Sequence, residues 1–392
     1  MTDVGVPSEL AESAGWASPE PGTPIEALDT PALLVDLDRF ERNVTEWPEA
    51  IRRTGARLRP HIKTHKVPAL GQAQLAAGAT GIAVAKVAEA EVFAEHGFED
   101  IVIAYPVIGT SKWTRAARLA QSVKLTVNVD SPAGALGLSE AASAHGVVIG
   151  VQLEIDTGFH RCGFAPSALE EIESLARYVR SLPGLEFDGI TTHRGIFFDG
   201  GGKLTIEEAG IQEGTIMVEL AERLRARGIS VPEVTAGGTI TGRAVATVDG
   251  ITEVRAGTYV FQDLMQLGFG AARPDELALT VLCTVVSRQG AERATVDGGS
   301  KTFSGDRGLV GGLSSSFQGI AQVVGRDIVL ERMSEEHGMV RVGSDEGVEV
   351  GERLSFYPMH ACTCVNLSDE LIGIRAGRVE RVFPVLARGK RT

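Results

Sequence analysis

Cysteine is scarce in this chain: Cys162, Cys283, Cys362 and Cys364 are the only four in 392 residues. They are too few and too scattered for a disulfide framework, so any chemistry they carry is that of thiolates or metal ligands. No apolar run is long enough to cross a membrane or to act as a secretion signal. The opening segment, "MTDVGVPSELAESAGWASPEPG", is polar, acidic and dotted with proline and glycine. It reads as a mobile leader over residues 1–25 of a cytoplasmic protein. Basic residues are outnumbered, 38 Lys and Arg against 51 Asp and Glu, which leaves a formal charge of −13 and no local basic block. That balance argues against nucleic acid or an anionic membrane as partner.

What is present is ordinary globular composition, 43% apolar and 23% charged, with length for one large domain and a smaller one. Glycine is plentiful, at 47 residues, and its placement is informative. From residue 56 to 256 one alternation repeats: a short β-branched run, a Gly-rich or polar turn, then an Ala/Leu/Glu-rich helical stretch. Eight such runs fall at 56–61, 81–85, 100–105, 123–128, 147–156, 186–193, 231–237 and 251–257. Helices are expected between them, over 131–146, 166–182 and 205–228 among others. Strands alternating with helices imply right-handed βαβ units and a parallel sheet. Eight units fit a closed (β/α)8 TIM barrel, an α/β fold, over 26–274. An open doubly wound sheet is the competing topology, because spacing does not carry strand order. After residue 275, runs such as "LALTVLCTVVSR", "MVRVG" and "RLSFYP" predict a C-terminal β-domain over 275–392. The run "ALLVDL" (32–37) precedes the eight and fits either domain.

In such a barrel the chemistry sits on loops at the carboxyl ends of the strands. Lys63, within "RPHIKTHK" (59–66), follows the first strand and lies between His61 and His65. A solvated basic loop is the plain reading of that turn; a lysine poised to bond a carbonyl carbon is the chemical one. "DTGFHRCG" (156–163), with Arg161, follows the fifth strand, and His193 follows the sixth. Residue type alone does not separate a structural from a functional role for either. "AGGT" (236–239) follows the seventh strand. Gly237, Gly238 and Thr239 let the backbone approach a ligand closely, and amides at a helix start bind anions. With Gly257 and Tyr259 of "RAGTYVFQD" (255–263) after the eighth strand, the pattern points to a phosphate site.

"PMHACTCVN" (358–366) is a second concentration of reactive side chains. As an extended stretch it projects His360, Cys362 and Cys364 to one side, since strand side chains alternate. Imidazole plus thiolate suits zinc, with further ligands from elsewhere or from solvent. The competing reading is a buried pair of cysteines beside a capping histidine, because no CxxC or HxxxH accompanies the motif.

Taken in order, "DTPALLVDLDRFERNV" (29–44), "RPHIKTHK", "AKVAEAEVFAEHGFEDIVIAYPV" (85–107), "DTGFHRCG", "AGGT", "EVRAGTYVFQD" and "PMHAC" carry a resemblance. They resemble the D-threonine aldolase and D-serine dehydratase-like family of pyridoxal-phosphate enzymes, which has the alanine-racemase type of fold. The resemblance implies that Lys63 holds pyridoxal 5'-phosphate covalently and that Arg161 faces its pyridine nitrogen. It implies a phosphate cup of Gly237, Gly238 and Thr239 with Tyr259 beside it, and a divalent metal on His360 and Cys362. The activity implied is a lyase acting on small D-β-hydroxy amino acids, working as a homodimer. His65, His61 and His193 are the candidate proton carriers. In the aldolase branch the second metal ligand is usually an aspartate, suited to manganese or magnesium; in the dehydratase branch it is a cysteine, with zinc. Cys362 therefore favours dehydration to a 2-keto acid and ammonia over aldol cleavage to glycine and an aldehyde. A non-catalytic pyridoxal-phosphate carrier is the alternative outside enzymes, and it leaves the β-domain motif unexplained. The loop "ITTHRGIFFDG" (190–200) departs from the family's usual sequence there.

Overall fold

The computed structural model describes residues 18–194, 198–199, 202–307, 309–310, 313–314, 317 and 319–392. After a 3₁₀ turn at Ile25–Ala27 the chain forms β1 (Ala32–Asp36), whose first four residues are all buried. Asp36 then caps the helix Leu37–Arg52 by accepting from the Arg39 N–H at 3.0 Å. Phe40, Val44, Trp47 and Ile51 recur on one face of that helix and are buried against the barrel.

Barrel strands β2 (Arg57–Leu58), β3 (Ile82–Val84), β4 (Asp100–Ile103), β5 (Lys124–Val129), β6 (Ile149–Ile155) and β7 (Leu185–Thr192) follow. A hairpin, β8 (Phe198–Asp199) and β9 (Gly202–Lys203), lies in the next loop, and β10 (Glu233–Thr235) and β11 (Glu253–Val254) complete the set. The eight barrel strands are parallel, in the order β2-β11-β10-β7-β6-β5-β4-β3. A parallel bridge between His61 and Ala83, with the Ala83 N–H donating to the Pro60 carbonyl at 2.8 Å, joins the two ends. The sheet is a closed barrel, not an open layer.

Alternate residues explain why these strands are β-branched yet not uniformly apolar. Leu125, Val127, Val151, Leu153 and Ile155 are buried in the apolar core. Between them Thr126, Asn128, Gln152 and Glu154 are equally buried, and period two turns them the other way, into the barrel. Buried polar groups need partners. Asn128 Nδ2 donates to Glu154, and Arg59 ties Glu253 (2.8 Å) to Asp100 (2.7 Å). The interior is thus a polar network where such barrels commonly hold branched aliphatics.

The β-domain is a nine-stranded sheet, and β1 lies inside it. It pairs antiparallel with Leu279–Arg288 (Leu33 opposite Val281) and parallel with Glu370–Arg375 (Leu34 opposite Ile372). Of the two domains open to this strand, it joins the second. Ser18 Oγ donates to Glu370 at 2.6 Å and the Gly22 N–H to the Val379 carbonyl at 2.7 Å, so the chain from Ser18 lies along this sheet. Residues 1–17 of the expected leader lie outside the described residues. One apolar core runs continuously from barrel to β-domain. Among the described residues no helix is long and apolar enough to cross a membrane.

Candidate active site

The turn after β2 closes into a single 3₁₀ turn, Ile62–Thr64, with His61 as its cap. His61 Nδ1 accepts from the Lys63 N–H at 3.4 Å. The helical turn then sends neighbouring residues in different directions. Lys63 faces the barrel mouth, whereas His65 enters the core with no exposure. His65 Nδ1 accepts from the Val67 N–H (3.0 Å), so Nε2 carries the proton and donates to Gln74 Oε1 (3.0 Å). The Gln74 amide donates onward to the Tyr259 hydroxyl (2.9 Å). Burial lowers the His65 pKa from its ordinary 6.5 to about 4. Both its nitrogens are committed, and it is not brought to the mouth with Lys63. Behind the turn Lys66 pairs with buried Glu89 at 2.9 Å.

Lys63 is exposed by area yet ringed by protein groups at longer range. That enclosure lowers its pKa, and Arg161 and Arg255 add to the effect against the anionic pull of Cys362 and Glu89. His61 and His193 are held well below the usual range by burial and then by Lys63 and the two arginines. Arg161 stands on a loop fixed by Asp156, whose Oδ1 accepts from the N–H groups of Gly158 and His160, both at 2.9 Å. Its guanidinium lies 3.6 Å from Glu154 Oε1 and over the Phe159 ring. Phe159 in turn meets His193 edge-on, 5.8 Å between centroids. Lys63, Arg161 and His193 therefore converge, from three different strand ends.

The "AGGT" turn and the "AGT" turn after β11 lie side by side. Gly237 has φ +84°, and a Cβ there would come within 2.9 Å of Gly242 Cα. A Cβ on Gly257 would fall 2.7 Å from the His61 carbonyl and 2.9 Å from Thr64 Oγ1. One on Gly238 would stand 3.1 Å from the His193 ring. Only glycine lets three backbones and an imidazole come this close. The N–H groups of Gly257 (3.3 Å) and Tyr259 (3.2 Å) both donate to Thr239 Oγ1. Tyr259 contributes its backbone here; its ring is turned into the core against Trp47, 5.2 Å between centroids.

"HACTC" is not extended. Ala361–Leu367 is a helix with His360 at its N-cap, which overturns the expectation that His360, Cys362 and Cys364 share one side. In a helix Cys362 and Cys364 point roughly 200° apart. Cys364 is buried and its thiol donates to the Phe303 carbonyl at 3.1 Å. Cys362 faces the barrel, donating to Thr64 Oγ1 at 3.3 Å and lying 3.8 Å from Thr258 Oγ1. His360 Nδ1 is 2.7 Å from Asp306 Oδ2, which leaves Nε2 for a second partner, and the ring is hydrogen-bonded to Cys362. Burial would raise the Cys362 thiol, but the charges of His360 and Lys63 outweigh it and lower its pKa. A carboxylate behind the imidazole and a thiol inclined to ionise form a donor set that fits a divalent metal. Among the described residues no three His, Cys, Asp or Glu side chains converge on one metal position. His360 and Cys362 would supply two ligands and leave the rest to solvent and substrate.

Sequence comparisons divide the chain into the same two parts. The family model for the alanine racemase N-terminal domain matches residues 35–264, and that for a putative serine dehydratase domain matches residues 278–374. A D-threonine aldolase from an Arthrobacter species is 33% identical over 377 residues, 94% of this chain and 95% of its own length. The chain belongs to the D-threonine aldolase and D-serine dehydratase-like family. Solved structures similar to this family member include the D-threonine aldolase of Filomicrobium marinum, at 31% identity and TM-score 0.84, over 95% of this chain and 98% of that one. The D-threo-3-hydroxyaspartate dehydratase of Delftia sp. HT23 superposes with TM-score 0.83 at 32% identity, over 92% and 98% of the two chains. Structures of D-threo-3-hydroxyaspartate dehydratase with alanine at one histidine and, separately, at a cysteine two positions further on, the latter in a metal-free form, are also similar, each at 32% identity. The family's homologues are pyridoxal-phosphate-dependent lyases.

Three side chains at this family member's site escape the motif reading. Arg255 is buried; its Nη2 donates to the Thr192 carbonyl at 3.3 Å and its Nη1 has no partner among the described residues. Its place at a strand's carboxyl end, two residues before Gly257, was a usable signal. Glu154 lies inside the barrel beside both arginines, where burial raises its pKa against their charges. Nothing in the sequence marks Asp306, which is 54 residues from His360. Residues 195–197 and 200 of the divergent loop lie outside the described residues.

Proposed function

We propose that this chain is a pyridoxal-phosphate- and divalent-metal-dependent lyase of D-β-hydroxy amino acids, with dehydration to a 2-keto acid and ammonia as its outcome. One observation carries the reading: the Cys362 thiol reaches Thr64, the residue next to Lys63, at 3.3 Å. The imidazole–thiol pair of the β-domain thus borders the lysine of the barrel. Lys63 would hold the cofactor, Arg161 would face its pyridine nitrogen, and Gly237, Gly238, Thr239 and Gly257 would surround its phosphate. When bound, pyridoxal phosphate supplies an electron sink for charge developing at the substrate Cα. The lowered pKa of Lys63 favours its neutral amine, which can accept the Cα proton at Nζ. His360 and Cys362 would hold the metal against the β-hydroxyl and promote its departure as a Lewis acid does. His193 and His61, kept neutral by burial and then by their cationic surroundings, can hold or pass a proton at a ring nitrogen. His65 has no such freedom, since both of its nitrogens are occupied.

The thiolate ligand supports zinc and dehydration, because soft sulfur suits zinc better than manganese or magnesium. The metal-free cysteine variant of D-threo-3-hydroxyaspartate dehydratase, altered two positions from a histidine that was also replaced, supports His360 and Cys362 as the metal pair. Aldol cleavage is the second reading, favoured by the similarity to D-threonine aldolases over nearly the whole chain. Incubation with D-serine, D-threonine and the 3-hydroxyaspartate isomers, plus zinc or manganese, decides between them. Keto acid and ammonia are expected; glycine and an aldehyde would replace dehydration with aldol cleavage. A cytoplasmic homodimer accompanies this reading, and sedimentation velocity tests the dimer.

A further inference from the structure

"AGIQEG" (209–214) lies in the N-terminal half of the 21-residue helix Ile206–Ala226. Glycine is the poorest helix former after proline, so two within five residues call for a packing reason. A Cβ on Gly210 would come 2.6 Å from Ala244 Cβ and 2.8 Å from the Thr241 carbonyl, and one on Gly214 would come 2.8 Å from Val248 Cγ2. These glycines let the helix lie directly on the segment that follows "AGGT". Glu213 sits between them with no exposure. Its Oε1 accepts from the N–H groups of Gly237 (3.1 Å) and Arg194 (3.3 Å), and its Oε2 from the Thr241 hydroxyl (2.7 Å). A buried carboxylate is retained only where such donors meet it. Glu213 therefore grips the loop after β7 and both flanks of Gly238 and Thr239.

We propose that Glu213 is the positioning residue of the cofactor's phosphate loop, holding Gly237 and Thr241 so that the backbone between them turns toward the phosphate. This rests on the reading of Gly237, Gly238, Thr239 and Gly257 as the phosphate cup. With both oxygens taken by the loop's own donors, Glu213 does not touch the phosphate, whose charge it would repel; it acts through the loop.

The test uses the full-length protein stripped of cofactor, with dissociation constants for pyridoxal 5'-phosphate and for pyridoxal measured by equilibrium dialysis. Glu213→Gln keeps the shape but turns an amide NH₂ toward loop donors. Its affinity for pyridoxal 5'-phosphate is expected to fall by about tenfold to a hundredfold, with that for pyridoxal unchanged. A wild-type protein that binds the two compounds equally would overturn the cup itself. Wild-type preference for the phosphate compound, with a variant that loses affinity for both alike or for neither, overturns the role of Glu213 and leaves the cup standing. Thr241→Val removes only the hydroxyl donor and serves if Glu213→Gln does not fold. A smaller loss confined to the phosphate compound is expected, and unchanged selectivity would overturn the proposal.

Discussion

His61, Lys63 and His65 in the barrel and His360, Cys362 and Cys364 in the β-domain share one spacing, and each set straddles the start of a short helix. In both, the first residue is the N-cap, the second faces the site and the third is buried in the core. Their electrostatics are opposite. After burial, His61 feels Lys63, Arg255, His193 and Arg161, which all lower its pKa. His360 feels Cys362, Asp306 and Asp263, and these raise its pKa well above the usual range against the effect of burial. The barrel turn thus faces the cationic Arg161 and Arg255 and the domain turn the anionic Asp306 and Asp263, and the two turns touch at Thr64 and Cys362. The first suits phosphate and carboxylate groups, the second a metal cation. A shared spacing says where side chains point; the long-range neighbours decide what they bind.

Exchanging or deleting members of the two turns should separate these roles. Lys63→Ala is expected to abolish the visible absorbance of bound cofactor and to cut lyase turnover by roughly 10²–10⁴-fold or more; unimpaired turnover would remove the lysine from the reaction. Cys362→Ala should keep the cofactor absorbance but lose bound metal and roughly a hundredfold or more in turnover. Metal analysis alongside assays with added zinc checks this, and activity that survives chelation would remove the metal from the scheme.

The third members call for stability measurements. His65 is neutral in the fold down to about pH 4, whereas the unfolded chain takes up its proton near 6.5. The stability it contributes is therefore complete above pH 6.5 and lost as pH falls toward 4, by about 3 kcal/mol. Urea unfolding of wild type and His65→Asn should show their difference shrinking by that amount from about pH 7 to about pH 4; parallel curves would contradict the buried neutral ring. Asp306→Asn should weaken metal affinity about 10–100-fold, read by competition with a chelating dye, while leaving cofactor affinity unchanged. Cys364→Ala is expected to cost about 1 kcal/mol of stability and to change metal content not at all. Loss of metal there would restore the extended reading of the motif.

The barrel was legible because its signal is local. Each β-branched run and each Gly-rich turn lies within a few residues, and all eight runs correspond to strands. Two strands of the nine-stranded sheet, Ile328–Met333 and Glu370–Arg375, were not, since Glu331, Arg332 and Glu370 blur their apolar pattern. The site divides in the same way. Lys63, the two glycine turns and the His-x-Cys pair stand out as residue types in short motifs. Arg255, Glu154, Asp306 and Glu213 do not, because their meaning comes from partners on other strands and loops. His65 shows the converse: its motif marks it as reactive, but Gln74 and Val67 occupy both nitrogens.

By itself the sequence determined the βα alternation, the β-domain after it, and which reactive side chains each turn has to offer. These follow from periodicity and backbone freedom, which act between near neighbours. Tertiary structure alone decided that β1 crosses into the β-domain, that "HACTC" turns as a helix, and that Cys362 meets Thr64 across 298 positions of chain. Those outcomes depend on strand pairing and on burial of one face against a distant one, and no local pattern encodes the partner.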